Sequence, residues 1–141
     1  MKITVSTVVA APLSDVWHAY TTPEDIVIWN TASPDWHTSA SSVDLRVGGK
    51  FSSRMEAKDG SLGFDFAGEY TKVVPRKLLE YAFEGRVGLV EFSEGHAGIT
   101  VNVTFDSEST YSEEQQRGGW QAILDNFARH VTERYRHPPV A

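Results

Sequence analysis

The chain has no cysteine among its 141 residues, which excludes disulfides, thiol catalysis and thiolate metal sites together. It is also short of basic residues, with 13 Lys and Arg against 19 Asp and Glu and a net charge of −6. An acidic surface repels a phosphate backbone, so nucleic acid is not an expected partner. No apolar run approaches the ~20 residues that a membrane-spanning helix needs. No GxSxG, P-loop or dinucleotide fingerprint occurs, and Gly48-Gly49 opens a second strand pattern rather than a helix, as a hairpin does. HExxH is absent, and His18, His96, His130 and His137 stand at no metal-ligand spacing with one another or with acids. Neither a metal nor a cofactor is expected. There is no internal repeat and no low-complexity segment.

What remains has the make-up of an ordinary folded protein. Hydrophobic residues are 40% and charged residues 23%, far from a disordered composition. The length suits one domain over residues 1–141, with enough chain to bury a core unaided. The start, Met1 to Asp15, loosely resembles a secretion signal. However, Ile3, Val5, Thr7 and Val9 alternate with Lys2, Thr4 and Ser6, which reads as a strand. A cytoplasmic location is the matching expectation.

Pro12 suits the first position of a short helix over Pro12 to Thr21, with Val16, Trp17 and Tyr20 at helical spacing. A second short helix begins at Thr22-Pro23-Glu24-Asp25. Thr22 is its cap, the two acids lie at the positive end of its dipole, and Ile26 and Trp29 turn to the core. Asn30 to Thr38, with Pro34, reads as a loop carrying Asp35, Trp36 and His37. From there the period becomes two. Strands are predicted at Ser41–Arg46, Lys50–Ala57, Gly63–Val74, Lys77–Glu84, Arg86–Phe92 and Ile99–Phe105, separated by turn residues such as Lys58-Asp59-Gly60 and Pro75-Arg76. Short strands with tight connections form an antiparallel meander.

The tail, Ser112 to His137, carries the longest helical signal. Ser112 and Gln115 fit a capping box. Trp120, Ile123, Leu124, Phe127, Val131 and Tyr135 form one apolar stripe, with His130 on the exposed part and His137 in the final turn. Pro138-Pro139 stops it. Gly118 and Gly119 weaken the helix by ~1 kcal/mol each relative to Ala; they allow either close packing against a sheet or open room beside it. An antiparallel sheet with one apolar face needs a cover, and only this helix is long enough. The expected fold is therefore α+β and helix-grip: a curved antiparallel sheet around a long C-terminal helix, with two short helices after the first strand.

Several stretches, in order, resemble the activator of heat shock protein 90 ATPase homologue family of the START-like, or SRPBCC, superfamily. They are Ala11-Pro12 with Val16-Trp17, Pro23-Glu24 with Trp29, and Asp44-Leu45-Arg46-Val47-Gly48-Gly49-Lys50-Phe51. Gly68-Glu69-Tyr70 and Gly118-Gly119-Trp120 with Ile123 to Phe127 follow. Asp35-Trp36-His37-Thr38, Arg54 to Ser61 and Gly63-Phe64-Asp65-Phe66 further resemble a bacterial single-domain branch. The resemblance implies a helix-grip fold with an internal cavity. The superfamily it points to spans lipid carriers, hormone receptors, aromatase/cyclases and co-chaperones.

Function follows from what lines that cavity. The leading expectation is a bound apolar or aromatic small molecule, held by burial against Phe64, Phe66, Tyr70, Tyr81, Phe83, Trp120, Leu124 and Phe127. Trp29 and Trp36 are further lining candidates, each equally an ordinary core residue. Polar orientation is assigned to His37, Arg54, Glu56 and Glu91. His37 is either a general base at the cavity mouth or a loop anchor. Arg54, Glu56 and Asp65 either pair across strands on the outer face or, if a bulge turns them, form a polar group inside the pocket. Glu91 is either an edge charge or a pocket carboxylate. The alternatives are a cyclase- or dehydratase-like enzyme using His37 or Glu56, and a stress-related interaction module with a chaperone partner. An edge strand at either end of the meander could pair across a homodimer.

Overall fold

Ile3, Val5 and Val9 take one face of β1 (Lys2–Val9) and are buried. The same alternation runs through the last strand, β7 (Gly98–Asp106), where Ile99, Val101, Val103 and Phe105 point inward. The two strands pair antiparallel from Lys2↔Asp106 to Val9↔Ile99. The computed structural model describes residues 1–134, so Tyr135, His137 and Pro138-Pro139 lie outside the described residues. Between these strands come α1 (Leu13–Thr21), α2 (Pro23–Trp29), β2 (Trp36–Val43), β3 (Lys50–Ala57), β4 (Gly63–Val74), β5 (Leu78–Phe83) and β6 (Arg86–Gly95); α3 (Glu113–Arg134) follows. The sheet has seven strands in the order β1-β7-β6-β5-β4-β3-β2, curled into a half-barrel with α3 as the long C-terminal helix. This is the expected α+β helix-grip fold.

The details depart from expectation where side-chain pattern and backbone pairing disagree. β2 was expected over Ser41–Arg46 after a loop, but it starts at Trp36 and ends at Val43. Trp36 to Thr38 pair with Ala57 to Met55, and buried Thr38 donates its hydroxyl to the Asn30 carbonyl at 2.6 Å. This strand is built on Ser and Thr, which hides its alternation. Asp44 to Gly49 instead fold into a turn, with Arg46 N–H on the Asp44 carbonyl, Gly49 N–H on the Arg46 carbonyl, and Gly48 at φ +83°. At the start of α1, Pro12 is the cap residue rather than the first helical residue, and the Thr22 side chain makes no capping bond to α2. The capping box of α3 forms as expected: Gln115 N–H donates to Ser112 Oγ, and Ser112 N–H to Gln115 Oε1, both at 3.1 Å.

α3 does more than cover the sheet. Arg117 donates to the Thr4 carbonyl at 2.9 Å and Gln121 to the Ser6 carbonyl at 3.0 Å. The outer edge of β1 is thereby capped by side chains, which removes backbone acceptors that edge-to-edge pairing would use. The opposite edge, β2, carries a bulge between Thr38 and Ala40. His130 was expected on the exposed side of the last helix. It is buried instead, with Nε2 2.8 Å from Asp25 Oδ1. Asp25 lies in the first turn of α2, as expected, and also serves as the buried link between α2 and α3, with Arg134 3.6 Å away.

Candidate functional site

The inward faces of β3, β4 and β5 carry several rings where β1 and β7 carry, apart from Phe105, aliphatic groups. Phe51, Ser53 and Met55 alternate on β3, Phe64, Phe66 and Tyr70 on β4, and Leu79, Tyr81 and Phe83 on β5. The registers Met55↔Phe64, Ser53↔Phe66 and Tyr70↔Tyr81 set them side by side. The rings meet edge to face: Phe51 and Tyr81 at 5.1 Å, Phe66 and Phe83 at 5.5 Å, Phe66 and Trp120 at 5.9 Å. Between this part of the sheet and the helices lies a cavity of about 690 Å³. Its other walls are Tyr20, Ile26 and Trp29 from α1 and α2, and Gly119, Trp120, Ile123 and Leu124 from α3.

Three glycines shape it. A Cβ on Gly88 would stand 2.4 Å from Tyr81 Cζ, and one on Gly68 would stand 2.9 Å from Phe51 Cζ, so both rings lie over bare backbone. Nothing lies within 4 Å of a Cβ built on Gly118 or Gly119. The two helix glycines are thus not a close-packing device, and Gly119 leaves room at the cavity wall. At the rim, Glu84 (φ 50°) and Gly85 (φ 72°) form a two-residue turn between Phe83 and Arg86, the backbone of a tight hairpin. It sets the Arg86 guanidinium 4.4 Å over the Phe83 ring, with one nitrogen donating to the Asp106 carbonyl at 3.1 Å. Gln116, buried, holds the segment before α3: its amide donates to the Glu108 and Tyr111 carbonyls, and its oxygen accepts from Glu108 N–H.

The electrostatics divide cleanly between rim and interior. At the rim, the Tyr111 N–H at 2.6 Å holds the Glu108 carboxyl below its ordinary value. Inside, burial pushes the Tyr70 phenol up to about 12 and raises Tyr20 and Tyr81 as well. The neighbouring Ser41 and Ser53 hydroxyls sit 3.2 Å apart.

The predicted site residues separate into two sets. Trp29, Phe64, Phe66, Tyr70, Tyr81, Phe83, Trp120 and Leu124 line the cavity. Phe127 is sealed in the core beyond it, packed on Tyr20 at 5.1 Å and Trp29 at 5.0 Å. Trp36, half-buried, packs on Phe64 at 5.8 Å, outside the cavity lining. The four polar candidates all fall on the outer face. His37 is exposed and opposite Glu56. Arg54 lies 3.9 Å from Glu56 and 3.6 Å from Asp65, the cross-strand alternative. Glu91 is exposed on β6, which lies between β5 and β7, so it is neither an edge charge nor a pocket carboxylate. For Arg54, Glu56 and Glu91 period-two alternation decides, since Ser53, Met55 and Val90 occupy the inward parity; His37 shares the parity of the cavity-lining Ser41 and Val43 and is turned outward by the bulge between Thr38 and Ala40. Tyr20, Gln116 and Gly119 were missed as lining residues. Only Gly119 stood out in the sequence, by breaking a helical stripe.

A family described as Activator of Hsp90 ATPase homolog 1-like protein matches residues 10–132. The chain belongs to this family. Among solved structures, an AHSA1-like protein from Aeromonas hydrophila is 42% identical, with all of both chains covered and a TM-score of 0.92. A Cytophaga hutchinsonii protein is 38% identical over 99% of this chain and 97% of its own, with a TM-score of 0.81. A Nitrosomonas europaea protein, 20% identical over 97% of each chain at a TM-score of 0.81, shares the fold. No curated protein matches the chain. The AHSA1-like assignment accounts for the strand order and the gripped helix. No helix among the described residues is long and apolar enough to cross a membrane, and no cluster of His, Cys, Asp or Glu among them could hold a metal ion.

Proposed function

We propose that this AHSA1-like domain binds an apolar or aromatic small molecule in the cavity between β3–β5 and α3. The observation that carries this reading is the cavity of about 690 Å³ walled by aromatic side chains, within the size range of small-molecule sites. Burial against Trp29, Phe66, Tyr70, Tyr81, Phe83, Trp120 and Leu124 supplies the affinity, with Phe64, 51% exposed, at an opening. The enzyme alternative loses support, because its acid–base candidates His37 and Glu56 are on the far side of the sheet.

The test uses tryptophan emission and thermal stability together, with fatty acids, sterols and polycyclic aromatic ketones as probes. A ligand of the native state alters emission and also raises the unfolding midpoint, by ~2.7 kcal/mol of stability at a hundredfold excess over its dissociation constant. Silence across the whole panel overturns the proposal. Co-elution with a heat-shock ATPase on gel filtration would then favour the interaction-module reading.

A further inference from the structure

Three phenols converge on the cavity with no hydrogen-bond partner for their hydroxyls among the described residues. Tyr70 and Tyr81 face each other across the β4–β5 pair, and Tyr20 comes in from α1. Tyr70 and Tyr81 are each 6% exposed. None of the three hydroxyls hydrogen-bonds to another described residue, although all three side chains line the cavity. A buried phenol ordinarily finds a protein partner, and three that find none among the described residues at one cavity are poised to bond something held there.

Charge narrows what that is. Besides these three phenols, the ionisable groups lining the cavity are the exposed Tyr111 and the charged Glu84, Arg86 and Glu108. Arg86 is already engaged, by the Asp106 carbonyl, by Glu84 at 3.3 Å and by the Phe83 ring. Two carboxylates share that rim with it. An anion drawn into the interior would lose its water without gaining a counter-ion.

Resting on the reading of the cavity as a ligand site, we propose that it selects a neutral molecule, apolar over most of its surface, whose ketone, ether or hydroxyl oxygens accept hydrogen bonds from Tyr20, Tyr70 and Tyr81, and that it disfavours a carboxylate of the same size. Because burial raises all three phenols, they remain protonated donors throughout the neutral range.

The test compares three probes of one shape by calorimetry: 2-acetylnaphthalene, 2-ethylnaphthalene and 2-naphthoate. The native protein binds the ketone about tenfold tighter than the hydrocarbon, the scale of one or two net hydrogen bonds, and tighter than the carboxylate. In the Tyr70→Phe/Tyr81→Phe variant the ketone loses that advantage while the hydrocarbon's affinity is kept. The variant removes only hydroxyls without a partner among the described residues, so it should melt where the native protein does. The carbonyl stretch of the bound ketone, lowered in the native protein, checks the same bond without any mutation. Equal binding of ketone and hydrocarbon to the native protein overturns the proposal while leaving the ligand site standing. So does tightest binding of the naphthoate, or a ketone advantage that persists in the variant. Failure of all three probes to bind removes the ligand-site reading and this proposal together.

Discussion

On β1, β6 and β7 the inward side chains are mostly aliphatic and sealed; Ile3, Val9, Val90, Val101 and Phe105 are among the largest fully buried groups of the molecule. On β3 and β4, the same alternating pattern ends in rings that keep a free face: Phe51 and Phe66 are half-buried, and Phe64 is exposed. Rings pack solidly elsewhere in the molecule: Phe127 meets Tyr20 and Trp29 edge to face and is fully buried. Period-two alternation thus identifies which face turns inward and says nothing about whether that face is filled.

The widest gap between the two regions should come from paired truncations. Phe105→Ala removes a fully buried ring stacked on Trp120 at 4.0 Å and should cost about 3–5 kcal/mol. Phe64→Ala, at the exposed opening, should change stability by no more than about 0.5 kcal/mol. Urea unfolding measures both, and equal losses would erase the distinction. A smaller contrast lies in the glycines. Gly88→Ala drives a methyl into the Tyr81 ring and should cost about 1–3 kcal/mol. Gly119→Ala meets open space and should gain up to about 1 kcal/mol from helix propensity; thermal midpoints moving in opposite directions check the pair.

The subtlest effect is alkaline. Tyr20, Tyr70 and Tyr81 have phenols raised by burial above their ordinary value near 10, Tyr70 to about 12. Their contribution to stability is complete below the unfolded value and is lost as pH rises through the folded one. Unfolding midpoints should therefore fall above pH ~10. The Tyr→Phe variant at positions 70 and 81 should soften that fall, and an unchanged alkaline profile would count against the burial of these hydroxyls.

Much of the architecture was legible because it rests on local rules. The β7 alternation, the Ser112–Gln115 capping box and the inward parity of Phe64, Phe66 and Tyr70 each follow from neighbours a few residues apart. β2 was misplaced because its inward residue Thr38 is polar and is satisfied by the distant Asn30 carbonyl. The Asp25–His130 contact spans 105 positions and leaves no periodic trace in the sequence. Half of the candidate site was readable for the same reason: apolar lining obeys parity. The polar candidates were chosen for their chemistry alone; parity sends Arg54, Glu56 and Glu91 outward, and the β2 bulge does the same for His37.

Consider finally the Lys2–Asp106 pair at the end of the β1–β7 ladder, 104 residues apart in the chain. Strands β2 to β7 each join a neighbour through a short connection, so their pairing costs little loop-closure entropy. β1 must instead hold its place in the assembly order until almost the whole chain is present, and α3 docks on that same strand through Arg117 and Gln121. Because α3 is also a wall of the cavity, the chamber exists only once the two far ends of the domain have met. Loosening α3 from β1 would therefore open a wall of the cavity while leaving the pairing of the meander itself intact.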